Sequence, residues 1–352
     1  MPHLHISVCV PAYNRPADLE NLIKSFLTLT YKNSSLLIFD DLGSPLVSKI
    51  AQRYAKEFSQ IKYYRNKINL GFANNLRQCI QLAPDGIALI MGDDDLFIEP
   101  DTLSYVEHAF QNTEIGILKC APLLFKKRKL EQASPLFSNH DTVTVFKNTT
   151  ETITNMLLCS INITGLAFRI TSETRNFAYE TKITMYPHIE LLAKFAMHFK
   201  GAFINNYLVA GQCDAHDQLN PILYSLHNQK TDILEDMADI HQRASIYAKN
   251  HGLPFPSKTI FMNTLTKNLS VFYPFIIVTH GHKQFRAFIT KALSINPKIL
   301  RNPFTITVLV ITIVTPRYIL IKILLLYKYI KLRIMLSRKY IAKINKILAR
   351  YS

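Results

Sequence analysis

The first hundred residues alternate short, β-branched apolar runs with stretches whose apolar positions recur every three or four residues. The runs at His5–Val10, Leu36–Phe39, Ile61–Tyr64 and Ile87–Met91 predict strands. Between them, Pro16 stands where a first helical turn accepts proline, and Leu19, Leu22, Ile23 and Phe26 follow at helical spacing. Ser44 and Pro45 predict the cap and first turn of a helix through Leu46–Phe58, and Phe72–Leu82 predicts a third helix. Strands separated by helices build a mostly parallel sheet, because parallel neighbours need a crossover connection. The fold class is α/β, with a Rossmann-like central sheet.

Past residue 115 the pattern is mixed. Ile115–Leu118, Thr142–Phe146 and Ile161–Phe168 predict further strands, and Pro187–Phe199 predicts a helix. From about Pro221 the chain reads as helical. It divides into an α/β domain over 1–220, a helical extension over 221–302 and an apolar, basic tail over 303–352.

At 352 residues, 48% hydrophobic and 19% charged, the chain can bury a sizeable core, and disorder is excluded as its general state. The formal net charge of +16 is one-sided: 19 of the 41 Lys and Arg lie from His241 onward, where there is no Asp or Glu. Such a field attracts anionic lipid or nucleic acid. The basic third lacks glycine loops, zinc ligands and aromatic-interleaved strands, so no nucleic acid is expected.

The apolar Phe304–Thr315 spans about 18 Å as a helix, against a hydrocarbon core of about 30 Å, so a single crossing does not fit. Extending it to Tyr327 would bury Arg317 and Lys322. Tyr318–Arg350, rich in Ile, Leu, Lys and Arg, predicts a basic amphipathic helix lying on an anionic membrane surface; the alternative is a helical subdomain whose apolar stripe packs on the rest of the protein. The five cysteines form no CxxC pair and read as reduced, buried thiols. The start of the chain carries no secretory pattern, which predicts a cytoplasmic protein held peripherally on the inner face of the cell membrane.

Candidate chemistry gathers where predicted strands end, the edge at which open α/β sheets bind ligands. Asp93, Asp94 and Asp95 follow Gly92 directly after the fourth strand; crowded carboxylates select a hard cation, Mg²⁺ or Mn²⁺, able to bridge to a diphosphate, or else form a solvated acidic turn. At the first strand's exit, Tyr13 offers a ring face to a base and Arg15 a guanidinium to phosphate. At the second strand's exit, Asp40 or Asp41 can accept from a ring N–H or a ribose hydroxyl, or form an Asx turn.

Taken together, these segments resemble family 2 glycosyltransferases. Val8-Cys9-Val10-Pro11-Ala12-Tyr13-Asn14-Arg15 is similar to that family's opening motif, and Asp40-Asp41-Leu42-Gly43-Ser44 to its DDGS segment. Asn69-Leu70-Gly71-Phe72-Ala73-Asn74-Asn75 is similar to its NxGxxxARN loop, and Gly92-Asp93-Asp94-Asp95 to its DxD-type metal site. The resemblance covers about residues 5–215. It implies a GT-A fold and an inverting transfer of sugar from a nucleotide diphosphate donor to a glycan or lipid-linked glycan acceptor in surface polysaccharide synthesis.

Carried over residue by residue, it implies that Pro11, Ala12, Tyr13, Arg15, Asp40, Asp41, Asn69, Asn74, Asp93 and Asp94 line the donor. Asp93 and Asp95, with His216, would hold the metal. Gly92 replaces the first carboxylate of the family's usual DxDD, which leaves open which two aspartates bind the cation. In place of the family's downstream carboxylate pair the chain has Pro187-His188-Ile189-Glu190, so either Glu190 or His188 takes the acceptor's proton, with Glu190 favoured. Three rival functions make different demands on the chain. A nucleotidyltransferase would need a glycine-rich loop after the first strand, which Val10-Pro11-Ala12-Tyr13 is not. A nucleic-acid-binding protein would bind with strong salt dependence. A membrane-bound scaffold that keeps the nucleotide-binding fold would show no donor turnover.

Overall fold

A computed structural model describes residues 3–126, 128–138, 140–179, 186–212, 233–270 and 273–351. Its contacts divide the chain into two units, Met1–Gln212 with Ala342–Ser352, and Cys213–Ile341. The predicted division at 220 and 302 thus meets a chain whose last eleven residues group with the first unit.

The first unit is an α/β sandwich. Strands β1 (Ile6–Ala12), β2 (Ser34–Asp40), β3 (Ile61–Arg65) and β4 (Gly86–Ile90) alternate with helices α1 (Pro16–Leu27), α2 (Pro45–Glu57) and α3 (Gly71–Leu82). These four strands lie parallel in the order β3-β2-β1-β4. The chain runs outward from β1 to β3 and then returns to β1's other side, which makes the β1–β4 boundary a switch point. Beyond β4 the sheet continues through β9 (Leu166–Ile170), antiparallel, to β6 (Ile115–Lys126) and β10 (Lys200–Gln212), with β5 (Leu96–Phe97) at its end. Strand β7 (Lys129–Ala133) pairs with β6 and β8 (Val143–Val145) with β10. The mixed α/β architecture with a mostly parallel central sheet is the one the sequence predicts.

β1 is buried on both faces. Ile6, Val8 and Val10 pack with Leu19, Leu22, Ile23 and Phe26 of α1 and Val47 and Ala51 of α2, and α4 (Thr102–Phe110) adds Leu103, Val106 and Phe110 to the same core. Each such fully buried side chain contributes about 1.5–3 kcal/mol of transfer free energy. Helices α3, α5 (Thr149–Cys159), α6 (Asn176–Tyr179) and α7 (Pro187–His198) pack with one another and on the sheet.

Three details depart from the sequence expectations. Ser44 ends up as the residue before α2, but its hydroxyl makes no capping bond; its N–H donates to Asn14 instead. The stretch 161–165 is a turn rather than the start of a strand, because Gly165 adopts φ +73 and a Cβ there would press on Cys120 and Val209. The thirteen-residue β10 and the short β5 and β7 are strands that the sequence pattern did not announce.

The second unit is helical among its described residues: α8 (Ile233–His251), α9 (Lys258–Ser270), α10 (Tyr273–Ile295, broken at Gly281), α11 (Pro303–Val314) and α12 (Arg317–Met335). Among the described residues no helix is long and apolar enough to cross a membrane. The predicted continuous helix over Tyr318–Arg350 is two helices, α12 and α13 (Arg338–Leu348), separated at extended Leu336. Residues 342–352 join the first unit: Lys343 pairs with Glu99, the Asn345 carboxamide accepts from Leu130 N–H at 2.8 Å, and Asn21 donates to the Tyr351 carbonyl at 3.1 Å. Ile344 and Leu348 are fully buried. Ile344→Ala therefore destabilises the protein by about 2–5 kcal/mol in urea unfolding, whereas a residue facing a membrane would give a change near zero.

Candidate functional site

The ends of β1, β2 and β4 meet because their backbones are in register. Ala12 pairs with Asp40, the Asp41 N–H donates to Ala12 O at 2.9 Å, and the Met91 N–H donates to Cys9 O at 3.1 Å. The three loops that leave these strands are tied to one another. Gly43 packs so tightly on the first loop that a Cβ there would lie 1.7 Å from Tyr13 O, and Ser44 N–H donates to the Asn14 carboxamide at 2.8 Å. Glycine is thus the only residue that fits position 43.

Both aspartates at the β2 exit are braces. Asp40 is fully buried and accepts from Gly43 N–H at 2.7 Å and from the Tyr63 hydroxyl at 2.5 Å, with Arg65 at 3.8 Å. Asp41 accepts from the N–H groups of Leu70 (2.7 Å) and Gly71 (2.8 Å) and from Asn66 (2.8 Å). It holds the start of α3, where Gly71 takes φ +75. Asn69 also accepts from Gly71 N–H, at 2.9 Å, and Asn74 donates to Leu70 O at 3.0 Å, so both asparagines close the same loop. Asn75 is buried and donates to Phe39 O, fastening α3 to β2.

The acidic cluster is bound into this frame. Asp93 accepts from the Tyr13 N–H at 3.0 Å through one oxygen and from Arg15 Nη1 at 2.9 Å through the other; Arg15 also lies 3.5 Å from Asp94. The Arg15 side chain stays half exposed at the mouth, beside the exposed Tyr13 ring. Pro11 and Ala12 are the last residues of β1 and lead into this loop. The Gly92 N–H donates to Asp95, and a Cβ at Gly92 would sit 2.9 Å from Asp94 and 3.0 Å from Asp95. Gly92, the departure from the family pattern, gives these two carboxylates room to fold back.

Burial raises Asp94 well above the ordinary carboxylate range, and the charge on Asp95 adds to that against Arg15. Burial likewise pushes Asp95 up to about 7, opposed by the Gly92 N–H, the Thr164 hydroxyl and the Lys119 charge. Thr164 and Lys119 are functional candidates that the sequence motifs do not include. Lys119 is fully buried in β6 and donates to the carbonyls of Asn162 and Thr164, both at 2.6 Å, which fixes the turn carrying Thr164 beside Asp95. One signal for it stands in the sequence: a lysine inside the apolar run that begins at Ile115.

Crowded, buried carboxylates that resist ionisation are the donor set a hard divalent cation neutralises. Among the described residues no three His, Cys, Asp or Glu converge as a complete cage. One or two carboxylates completed by substrate phosphate oxygens and water is the usual arrangement for Mg²⁺, and the aspartates at the β4 exit fit it.

His188 and Glu190 share the first turn of α7, which starts at Pro187. The His188 ring lies edge-on to Phe72 of α3, at 6.5 Å, and to Tyr186. It is buried with neither nitrogen in a well-formed hydrogen bond. Burial lowers it to about 4; the Lys119 charge acts in the same direction, and the backbone of Ile161 and Ser160 opposes both. Glu190 is 1% exposed, with Lys194 one turn on at 4.0 Å. His216 lies outside the described residues. Two open grooves, of about 570 Å³ along α2 and about 440 Å³ beside Glu114 and Lys200, lie away from all of these groups.

The same stretch of chain is similar to known proteins. The sequence model described as glycosyl transferase family 2 matches residues 7–171, the stretch that contains all three interlocked loops and the acidic cluster. Residues 7–171 are a glycosyl transferase family 2 region. Among its relatives, the putative glycosyltransferase EpsE of Bacillus subtilis is 37% identical over 91 residues, 25% of this chain and 33% of EpsE. The GalNAc(5)-diNAcBac-PP-undecaprenol beta-1,3-glucosyltransferase of Campylobacter jejuni is 31% identical over 96 residues, 27% of this chain and 30% of that enzyme. The chain spans about a third of the length of the relatives it matches. In structure, it is similar to TarS residues 1–349 of S. aureus, solved with UDP-GlcNAc, with TM-score 0.60 at 13% identity over 99% of this chain and 91% of that one. That likeness shows a common fold.

The site geometry yields two expectations. Gly43→Ala forces the first two loops apart and lowers stability by about 1–3 kcal/mol in denaturant unfolding; an unchanged midpoint would contradict the packing described. His188, lowered from 6.5 to about 4 in the fold, contributes stability that is fully present above about pH 6.5 and is lost as pH falls toward 4, because the unfolded chain takes up the proton first. Between about pH 7 and about pH 4.5 this amounts to about 2 kcal/mol. His188→Leu is expected to lose that much less stability over the same interval, measured by urea unfolding at both pH values.

Proposed function

We propose that this protein is an inverting glycosyltransferase that transfers a hexosyl or related sugar from a nucleotide diphosphate donor to a hydroxyl of a lipid-linked glycan in bacterial surface polysaccharide synthesis. The observation that carries this reading is the convergence of three strand-end loops at the sheet's switch point, with a half-exposed arginine and a buried, cation-seeking aspartate cluster between them. The donor class is supported by the nucleotide sugar in the TarS complex, and the acceptor class by the undecaprenol-linked acceptor in the Campylobacter enzyme's name. We place the protein in the cytoplasm, peripherally on the inner face of the cell membrane, where such an acceptor is found.

In this reading the Tyr13 ring covers the base, the loops braced by Asp40 and Asp41 border it, and Asn69 and Asn74 edge the donor pocket. Arg15 meets the diphosphate from the mouth of the site. Asp95 with Asp93, and His216, would hold Mn²⁺ or Mg²⁺, which supplies positive charge to the departing diphosphate. Glu190 takes the proton of the acceptor hydroxyl as that oxygen attacks the anomeric carbon from the face opposite the nucleotide, and one displacement inverts the centre. We favour Glu190 over His188 because a ring held near pKa 4 is a weak proton acceptor at neutral pH.

A panel of UDP-, GDP- and dTDP-sugars tests the reading: divalent-cation-dependent release of nucleoside diphosphate from one of them is expected, and silence across the panel would overturn it. On the active donor, Glu190→Gln is expected to lower kcat by about 10²–10⁴ with little change in donor KM. A smaller loss than that from His188→Leu would reverse the assignment of the base.

A further inference from the structure

Helix α11 is inside out for a helix in water. Its buried side chains are Thr305 and Thr312, while Phe304, Val310, Ile311, Ile313 and Val314 are exposed, Val314 to 69%. Thr312 satisfies its hydroxyl within the helix, on Val308 O at 2.6 Å. Helix α12 continues the pattern: Leu320 is buried, whereas Tyr318, Leu325, Leu326 and Ile334 are exposed, Ile334 to 79%. Exposed apolar surface on this scale marks a place of interaction.

Charge selects the partner. Exposed Lys298 and Arg301 precede α11 and exposed Lys322 follows its turn at Pro316, with no Asp or Glu from His241 to the end of the chain. A second copy of this face would set cation against cation, and a nucleic acid would leave the apolar side chains uncovered. An anionic bilayer covers both, taking the aliphatic groups into its acyl boundary and the cations at its phosphates. At twelve residues, α11 reaches about 18 Å and cannot cross the hydrocarbon core of about 30 Å, so the face lies in the interface.

We propose that α11 and α12 form a monotopic docking face for anionic membrane, with Pro303–Thr315 seated in the acyl boundary and Lys298, Arg301 and Lys322 at lipid phosphates. The inference rests on the peripheral location proposed above and makes it specific: α13, whose composition is equally basic and apolar, turns Ile344 and Leu348 into the first unit and stands outside the docking face.

Cosedimentation of the full chain with vesicles of phosphatidylcholine, with and without phosphatidylglycerol, tests it, in the absence of any donor. Binding is expected to the anionic vesicles and to weaken in high salt. Val310→Asp with Val314→Asp is expected to lower the partition coefficient by about tenfold or more, with donor hydrolysis in vesicle-free solution unchanged. That hydrolysis assay fails only if the transferase reading fails; the vesicle assay fails only if the docking face does. As a second readout that does not depend on a destabilised variant, Val314→Trp gives a chain that has no tryptophan of its own a single fluorophore, whose emission is expected to shift to the blue on anionic vesicles. Ile246→Trp, on α8, is expected to give no shift. Equal sedimentation with neutral and anionic vesicles, an aspartate double variant that binds like the parent, or an unmoved emission spectrum from the Val314→Trp variant would each overturn the proposal.

Discussion

Three aspartates in succession at the end of a buried strand are the constraint around which this sheet edge is organised. Buried like charges are tolerated only when each is met by a donor or a counter-charge, and the aspartates are met from different parts of the chain. Asp93 is answered by the β1 exit through Arg15 and the Tyr13 N–H; Asp95 by the turn on which Thr164 sits and by Lys119 beneath it; Asp94 by Arg15, shared and at longer range. The answers are incomplete, which is why Asp94 and Asp95 sit above the normal carboxylate range. A site left short of positive charge in the folded protein has the carboxylates that the proposed divalent cation would neutralise.

The same logic of matched donors and acceptors explains the second motif. Asp40 and Asp41 direct their oxygens to the backbone of Gly43, Leu70 and Gly71 and to Tyr63 and Asn66, which fixes two loops at the exits of β2 and β3. Donors and charges held in place before the ligand arrives need no reorganisation during reaction, the largest single source of electrostatic catalysis. The strand ends supply the placement; Gly43 and Gly92 leave the space that lets the loops approach so closely, and Gly71 takes the positive φ at the start of α3.

Much of this was legible in the residues. The first four strands and three helices follow from periodicity, and the motifs fall at the β1, β2 and β4 exits because each ends an apolar run. What was not legible depends on contacts distant in sequence. β10 carries Gly201, Asn205 and Gly211 and three register shifts against β6, so it shows no clean alternation. Lys119 and Thr164 are 45 residues apart and meet only because β9 lies between β4 and β6. The stretch 161–165 looks like a strand by composition, yet the carbonyls of Asn162 and Thr164 turn to a buried lysine. In the tail, α12 and α13 have nearly the same composition. An apolar stripe does not say what covers it; the inward-facing Ile344 and the outward-facing Ile334 are separated only by the fold.

In the proposed function, cation, diphosphate and base meet at the β1–β2–β4 edge. Anomalous diffraction from crystals grown with Mn²⁺ and the nucleoside diphosphate of the active donor tests it most directly. One manganese peak is expected against the Asp95 carboxylate, with the nucleotide lying between Tyr13 and the Asp41 loop. Manganese bound elsewhere, or a nucleotide seated in the groove along α2, would contradict it.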